Sequence, residues 1–384
     1  MNSPRQPVHV LYGGAHLFKS DVIRRMGELA RRSVAEHAPD AQTLASACGI
    51  SPTLAELVYA RVTEKLSREP VENLRIDFED GYGIRSDQEE DAAAHSAAQQ
   101  LAKGRDEGTL PAFVGIRIKP LAEESRARSL RTLRIVLGEL GRLPENFTVT
   151  LAKITGLDQV RMCAEVLQEF GVPRMELMIE TPQSVVLLPK LIEEARGLLA
   201  GAHFGAYDYT ASLGIAAPHQ DMLHPACDFA RNVMQFHLAG TGVQLSDGAT
   251  NILPIGGREA VHRGWRIHCA HIRHSLESGF YQSWDLHPAQ LVSRYAAVYA
   301  FFLEGLEASS ERLKNFIDRA AQATRVGGVF DDAATGQGLL NYFLRAIDCG
   351  AIPESEVVSL TGLSVDELRS ASFAKILQGR STHA

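Results

Sequence analysis

Charged side chains stand where apolar runs of this chain end, and their types are those that bind cations and carboxylates. "NLRIDFEDGYG" (73–83) closes on Glu79 and Asp80 and then turns through Gly81 and Gly83. "AFVGIRIKP" (112–120) ends in Arg117 and Lys119, "FTVTLAKI" (147–154) near Lys153, and "MELMIET" (175–181) in Glu180 and Thr181. "AHFGAYD" (202–208) ends in Asp208 and "VQLSDG" (243–248) in Asp247. Carboxylates brought to one rim suit a hard divalent cation such as Mg2+, which takes few protein oxygens, keeps water and leaves room for ligand oxygens. Glu180 and Asp208, from successive runs, suit direct ligation. Glu79 and Asp80 suit holding the water around the ion. Arg117 carries the planar, permanently charged fork that pairs with a carboxylate. Asp247 is a candidate general base. Asp77 shares the strand side of Glu79 but lies deeper, which reads as structural.

Competing readings accompany these. "ETPQS" resembles a strand-to-helix turn, so Glu180 could instead cap the following helix. Arg117 could be a structural partner of Glu79 or Asp80. Lys153 could support the acid cluster or be an exposed strand-end lysine. In "RIHCAHIRHSLESGF" (266–280), His268, His271 and His274 recur three apart on one helix face. No Cys/His pair at finger spacing and no HExxH accompanies them, so a helix packed outside the core is the preferred reading. Ser184 and Ser212 lack the GxSxG elbow of a serine hydrolase.

The elements that must position these residues are legible in the hydrophobic pattern. Eight short runs rich in β-branched residues are predicted as strands: those quoted above together with "VHVLYGG" (8–14) and "FYQSWDLHP" (280–288). Helical periodicity separates them, as in "DQVRMCAEVLQEFG" (158–171), which Gly171 stops. Strand–helix–strand units pair in parallel through right-handed crossovers, and eight fit a closed (β/α)8 TIM barrel of class α/β. An open doubly wound sheet is weakened because no GxGxxG follows the first run. Residues 1–304 are assigned to the barrel, whose first connection contains helices near 21–33 and 51–69. Residues 305–384 are expected to be a helical C-terminal segment with a glycine-rich link at 326–338 and a Ser364–Glu367 capping box.

Composition narrows the class. Of 384 residues, 45% are hydrophobic and 22% charged, the balance of a chain with a sizeable core. With 39 Lys+Arg against 46 Asp+Glu, the net charge of -7 argues against a nucleic-acid partner. The basic run "RARSLRTLR" (126–134) reads as the wet face of a helix. No stretch has the apolar length to span a bilayer, and "MNSPRQPVHVLYGG" lacks a secretory h-region, so no membrane partner is expected. The five cysteines form no CxxC pair and read as reduced thiols of a cytoplasmic protein.

Taken in order, "RIDFEDGYG", "GIRIKP", "TLAKI", "MIETPQSV", "GAYDYTASLG" and "GFYQSWDLHPAQL" resemble the motifs of the HpcH/HpaI aldolase and citrate lyase β-subunit superfamily, which includes malyl-CoA and citramalyl-CoA lyases. The likeness spans about residues 8–300, and "IET" followed by "GAYDYTASLG" is its most specific part. It implies Mg2+, or Mn2+, on Glu180 and Asp208, with Arg117 on the substrate carboxylate and Glu79 and Asp80 beside the metal through water. It also implies a TIM barrel with a helical C-terminal segment, assembled as a trimer or hexamer, whose C-terminal lid reaches a neighbouring site. The activity implied is metal-dependent carbon–carbon cleavage or formation through a metal-stabilised enolate. The substrate would be a small 2-hydroxy acid or its CoA thioester, with a 2-oxo acid of the glyoxylate or pyruvate type as one partner; the alternatives are an aldolase acting on free 2-oxo acids without CoA and a non-catalytic barrel that binds metal and carboxylate.

Overall fold

The computed structural model describes residues 5–326, 333–370 and 376. All eight expected strands are present: β1 His9–Gly14, β2 Asn73–Asp77, β3 Phe113–Ile118, β4 Phe147–Leu151, β5 Met175–Ile179, β6 Leu199–Phe204, β7 Gln244–Ala249 and β8 Gln282–Asp285. Each pairs in parallel with its neighbour, and β8 pairs with β1 to close a TIM barrel. Three helices, α1 Val22–His37, α2 Ala41–Cys48 and α3 Ala55–Arg68, fill the first connection. The later crossovers carry α4 Asp87–Glu107, α5 Arg126–Leu140, α6 Leu157–Glu169, the short pair α7 Pro182–Val186 and α8 Leu188–Glu194, α9 Ala206–Ser212 with α10 Pro225–Leu238, and α11 Arg258–Glu277. After β8 the chain is helical: α12 Gln290–Glu304, α13 Leu306–Val326, α14 Ala333–Asp348, α15 Val357–Thr361 and α16 Val365–Arg369.

The period-2 alternation of the strands divides two environments. Leu74, Ile76, Val114, Ile116, Val149 and Leu177 are buried in the hydrophobic core. Their alternates face a polar lumen. There Arg75 donates from Nε to Thr150 Oγ1 at 2.9 Å and pairs with Glu176 at 3.3 Å, while Thr150 donates to Glu176 at 2.6 Å. Buried charges persist because each meets an opposite charge and further hydrogen bonds.

The outer layer absorbs several features of the sequence. On α5, Arg131 pairs with Asp91 of α4 at 2.7 Å and Arg134 with Glu169 of α6 at 3.0 Å, so the basic run serves contacts between helices. The three histidines of α11 go separate ways: His268 to Ser293 at 2.9 Å, His271 to Thr250 at 2.9 Å and His274 to Asp228 at 2.9 Å. The five cysteines are buried and unbridged. Ser364 caps α16 in a reciprocal box with Glu367. Of the expected link at 326–338, residues 327–332 lie outside the described residues, whereas 333–338 open α14 instead of forming a loop. Among the described residues, no helix is long and apolar enough to cross a membrane.

Candidate active site

Glu180 follows β5 directly and is 1% exposed. The cap of α7 is Thr181, whose Oγ1 accepts from Ser184 N–H at 3.0 Å, so Glu180 is free of that task. One of its oxygens, Oε1, accepts from the main-chain N–H of Lys153 at 2.6 Å. Lys153 presents that amide from a left-handed conformation, φ 49°, which a residue with a side chain holds only when its surroundings compensate. The other oxygen, Oε2, lies against Gly205, where an added Cβ would come within 2.5 Å. Glycine is therefore required between β6 and α9 by close approach.

Asp208 was expected at the end of the sixth strand, but β6 stops at Phe204 and Asp208 lies in the first turn of α9. Its side chain is 45% exposed and stands 3.9 Å from Lys153 Nζ. Burial, and then Asp208, push the Glu180 carboxyl up to about 8. Asp208 is raised too, by burial and by Asp80. Two adjacent carboxylates that disfavour joint ionisation are what a cation relieves, and an all-oxygen set fits Mg2+. Among the described residues no three His, Cys, Asp or Glu side chains form a metal cage, so the ion would draw its remaining ligands from water or substrate.

Lys153 also gathers Glu79 and Asp80. Its ammonium contacts Glu79 and donates to both oxygens of Asp80, at 2.9 and 3.0 Å. Burial outweighs the neighbouring cations at Glu79, so its proton affinity is raised. At the more exposed Asp80, burial is outweighed by the Lys153 hydrogen bond and the carboxyl is lowered.

Arg117 is 1% exposed and locked in place. Its Nε and Nη2 donate to the two oxygens of Asp77 at 2.7 and 2.5 Å, and Nη1 stands 3.1 Å from Glu79. Asp77 and Arg117 are direct partners in the β2–β3 register. Asp77 also accepts from Glu79 N–H at 3.0 Å and Gly81 N–H at 2.7 Å, which holds the loop that carries the acids. An added Cβ on Gly81 would come within 2.6 Å of Asp77 Oδ2, which explains the glycine there. The guanidinium lies 4.8 Å from the Tyr12 ring and 5.2 Å from the Trp284 ring.

The strand ends thus bring Glu79, Asp80, Arg117, Lys153, Glu180 and Asp208 together, with Asp77 beneath them in the structural role its deeper position suggested. Asp247 is not brought there. It faces the helices, fully buried, and accepts from Arg231 Nε at 2.9 Å and Ser275 Oγ at 2.6 Å. Its carboxylate ties β7 to α10 and α11, which leaves no oxygen for the general-base task expected of it. Lys119 likewise turns away, to Phe78 O at 2.8 Å and Glu90 at 2.6 Å. Sequence reasoning passed over Tyr12, His203 and Trp284, which line the lumen beside Arg117; their signal was the inward parity of "VLY", "AHF" and "QSW".

Solved structures share this fold. A citrate lyase from Burkholderia xenovorans LB400 is 18% identical, with a TM-score of 0.58 over 90% of this chain and 96% of that one. Malate synthase from Haloferax volcanii, solved as a lead(II) complex, is 14% identical, with a TM-score of 0.52 over 97% of this chain and all of its own (100%). CitE from Mycobacterium tuberculosis, solved with magnesium, acetoacetate and coenzyme A, is 16% identical, with a TM-score of 0.51 over 90% of this chain and 99% of that one. These likenesses show a shared TIM-barrel fold, the fold that the motif resemblance implied. No curated protein matches the sequence. A family model described as "Domain of unknown function (DUF6986)" matches residues 1–376, and the chain belongs to that family.

Proposed function

We propose that the chain is a Mg2+-dependent carbon–carbon lyase or aldolase acting on a small 2-hydroxy acid or its CoA thioester, with a 2-oxo acid as one partner. The observation that carries this reading is the Glu180–Asp208 pair, two adjacent carboxylates that both hold protons more tightly than usual. The fold is also one in which CitE was solved with magnesium, acetoacetate and coenzyme A.

Glu180 and Asp208 would hold the ion, with Glu79 and Asp80 around its water. Bound there, Mg2+ supplies a Lewis acid for the oxygens of the 2-oxo acid. The remaining work falls to the chain. Lys153 fixes three acids at once: its amide holds Glu180, and its ammonium holds Glu79 and Asp80. Arg117 cannot swing, because Asp77 grips two of its nitrogens and Glu79 stands 3.1 Å from the third, so a ligand carboxylate would meet the guanidinium at Nη1 in exchange for, or beside, Glu79. A carboxylate bound against a fixed guanidinium is oriented as well as attracted, which lowers the entropic part of the barrier. In cleavage the hydroxyl proton passes to a base, the freed oxygen pair forms the C=O of the 2-oxo acid, and the carbon–carbon bonding pair leaves on the other fragment as an enolate, which then takes up a proton.

Turnover of a panel of 2-hydroxy acids and their CoA thioesters tests the proposal, with the released 2-oxo acid trapped as its hydrazone. Release should require Mg2+ and fall about a thousandfold in Asp208→Ala, the scale of a lost electrostatic anchor. Full activity in Asp208→Ala would sink the assignment.

A further inference from the structure

One layer below the acid cluster, polar atoms from three neighbouring strands are buried without a hydrogen-bond partner: His203 Nε2 on β6, Ser246 Oγ on β7 and Trp284 Nε1 on β8. His203 is the register partner of Ser246 on one side and of Met178 on the other. The Met178 sulfur lies 3.6 Å from Arg117 Nη1, and two residues further along the same two strands come Glu180 and Gly205. A buried polar atom without a partner costs about 1–3 kcal/mol, so three together in one layer call for a physical reason.

The protonation pattern supplies one. Tyr12 Oη lies 3.3 Å from His203 Nδ1, its one hydrogen bond among the described residues. If the phenol donates, Nδ1 accepts and the ring proton sits on Nε2, the arrangement that satisfies most groups. Burial keeps this ring neutral, pulling it down to about 4. The indole nitrogen of Trp284 can only donate. The His203 and Trp284 rings meet edge to face at 5.6 Å, and Arg117, itself a donor, cannot satisfy either. Tyr12 and Trp284 are partly exposed, so the layer opens on the mouth. The three atoms thus lie unpartnered on neighbouring strands, while Glu176, the carboxylate whose charge reaches His203, is already taken by Arg75 and Thr150.

The geometry points to His203 Nε2–H and Trp284 Nε1–H, with the Ser246 hydroxyl beside them, as the donors that receive one carboxylate oxygen of the bound acid while Arg117 Nη1 faces the other. This rests on the reading of the mouth as a 2-oxo acid site. It makes two uncharged residues, rather than the arginine alone, determinants of ligand affinity.

Calorimetric titration of the full chain in Mg2+ buffer with pyruvate tests this. Trp284→Phe removes the N–H and keeps an aromatic ring, and His203→Phe does the same at the second position. Each should weaken pyruvate binding about tenfold, the scale of one hydrogen bond to a charged group. Mg2+ affinity without pyruvate should stay within about twofold, since neither residue is a proposed ligand of the ion. Pyruvate should also change the tryptophan emission of the wild type and not that of Trp284→Phe, because the other tryptophan, Trp265, is buried with its N–H on Ala289 O. If His203→Phe does not fold, Trp284→Phe decides alone. Unchanged pyruvate affinity beside intact Mg2+ binding overturns the donor pair and leaves the metal reading standing. A wild type that binds neither Mg2+ nor pyruvate overturns both.

Discussion

The main-chain amide of Lys153 donates to Glu180 Oε1 at 2.6 Å while its own ammonium holds Glu79 and Asp80, so one residue organises three acids from two strand ends. The arrangement depends on the left-handed backbone at position 153, φ 49°. Two substitutions separate backbone from side chain. Both remove the ammonium and so share the cost of losing its ion pairs with Glu79 and Asp80, but Lys153→Gly accepts that backbone conformation freely. Lys153→Val, a β-branched residue ill suited to positive φ, should be less stable than Lys153→Gly by about 1–3 kcal/mol in urea denaturation. Equal stability of the two would contradict a strained backbone at this position.

Gly205 makes room for Glu180. An added Cβ would sit 2.5 Å from Oε2 and 2.6 Å from the Cβ of Glu180, atoms that cannot retreat far because Oε1 is held. Gly205→Ala should therefore displace the carboxylate and weaken Mg2+ binding about tenfold or more, with a stability loss of about 1–3 kcal/mol from overpacking. Mg2+ affinity equal to that of the wild type, measured by calorimetry, would show that Glu180 need not lie where it does.

Asp77 and Arg117 form a buried bidentate pair at 2.5 and 2.7 Å, and removing one partner strands the other charge. Asp77→Asn should cost about 3–5 kcal/mol in chemical denaturation. It should also free the guanidinium to move, raising KM for a carboxylate substrate. A change below about 1 kcal/mol would mean that Arg117 finds another partner.

These residues show how far the sequence could be read. The strands were legible because their outward positions are apolar and β-branched, and every strand end that was singled out lies within a few residues of an observed one. The lumen was harder. "NLRIDFE" alternates Asn73, Arg75, Asp77 and Glu79 with apolar residues, a period that marks one polar face without saying what it meets. Arg75 meets Glu176 and Asp77 meets Arg117 across the fold, pairings that no local spacing encodes. Asp247 misled for the converse reason: it stands near a strand end but on the outward parity, where Arg231 and Ser275 claim it. Asp208 lies four residues past Phe204, where its strand ends, in the first turn of α9.

Stability below neutral pH should be governed in part by Glu72 at the other end of the barrel. It is fully buried, and although burial works against ionisation, Lys65 and Arg5 hold it down to about 2. Lys65 Nζ donates to it at 2.6 Å. A carboxyl depressed in the folded state contributes stability that is present above its unfolded value, roughly 4.3 for a free glutamate, and is lost as pH falls through the folded value. The melting temperature should thus drop between about pH 4.3 and pH 2, and Glu72→Gln should flatten that part of the profile. An identical acid limb in the variant would assign the loss to other carboxylates.

Glu180 and Asp208 are proposed to hold a divalent cation together, and calorimetric titration of Mg2+ into the wild type, Glu180→Gln and Asp208→Asn decides it. One saturable site is expected in the wild type, with a loss of affinity of at least about a hundredfold in each variant, since each removes one of only two charged ligands. Undiminished Mg2+ binding in both variants would contradict it.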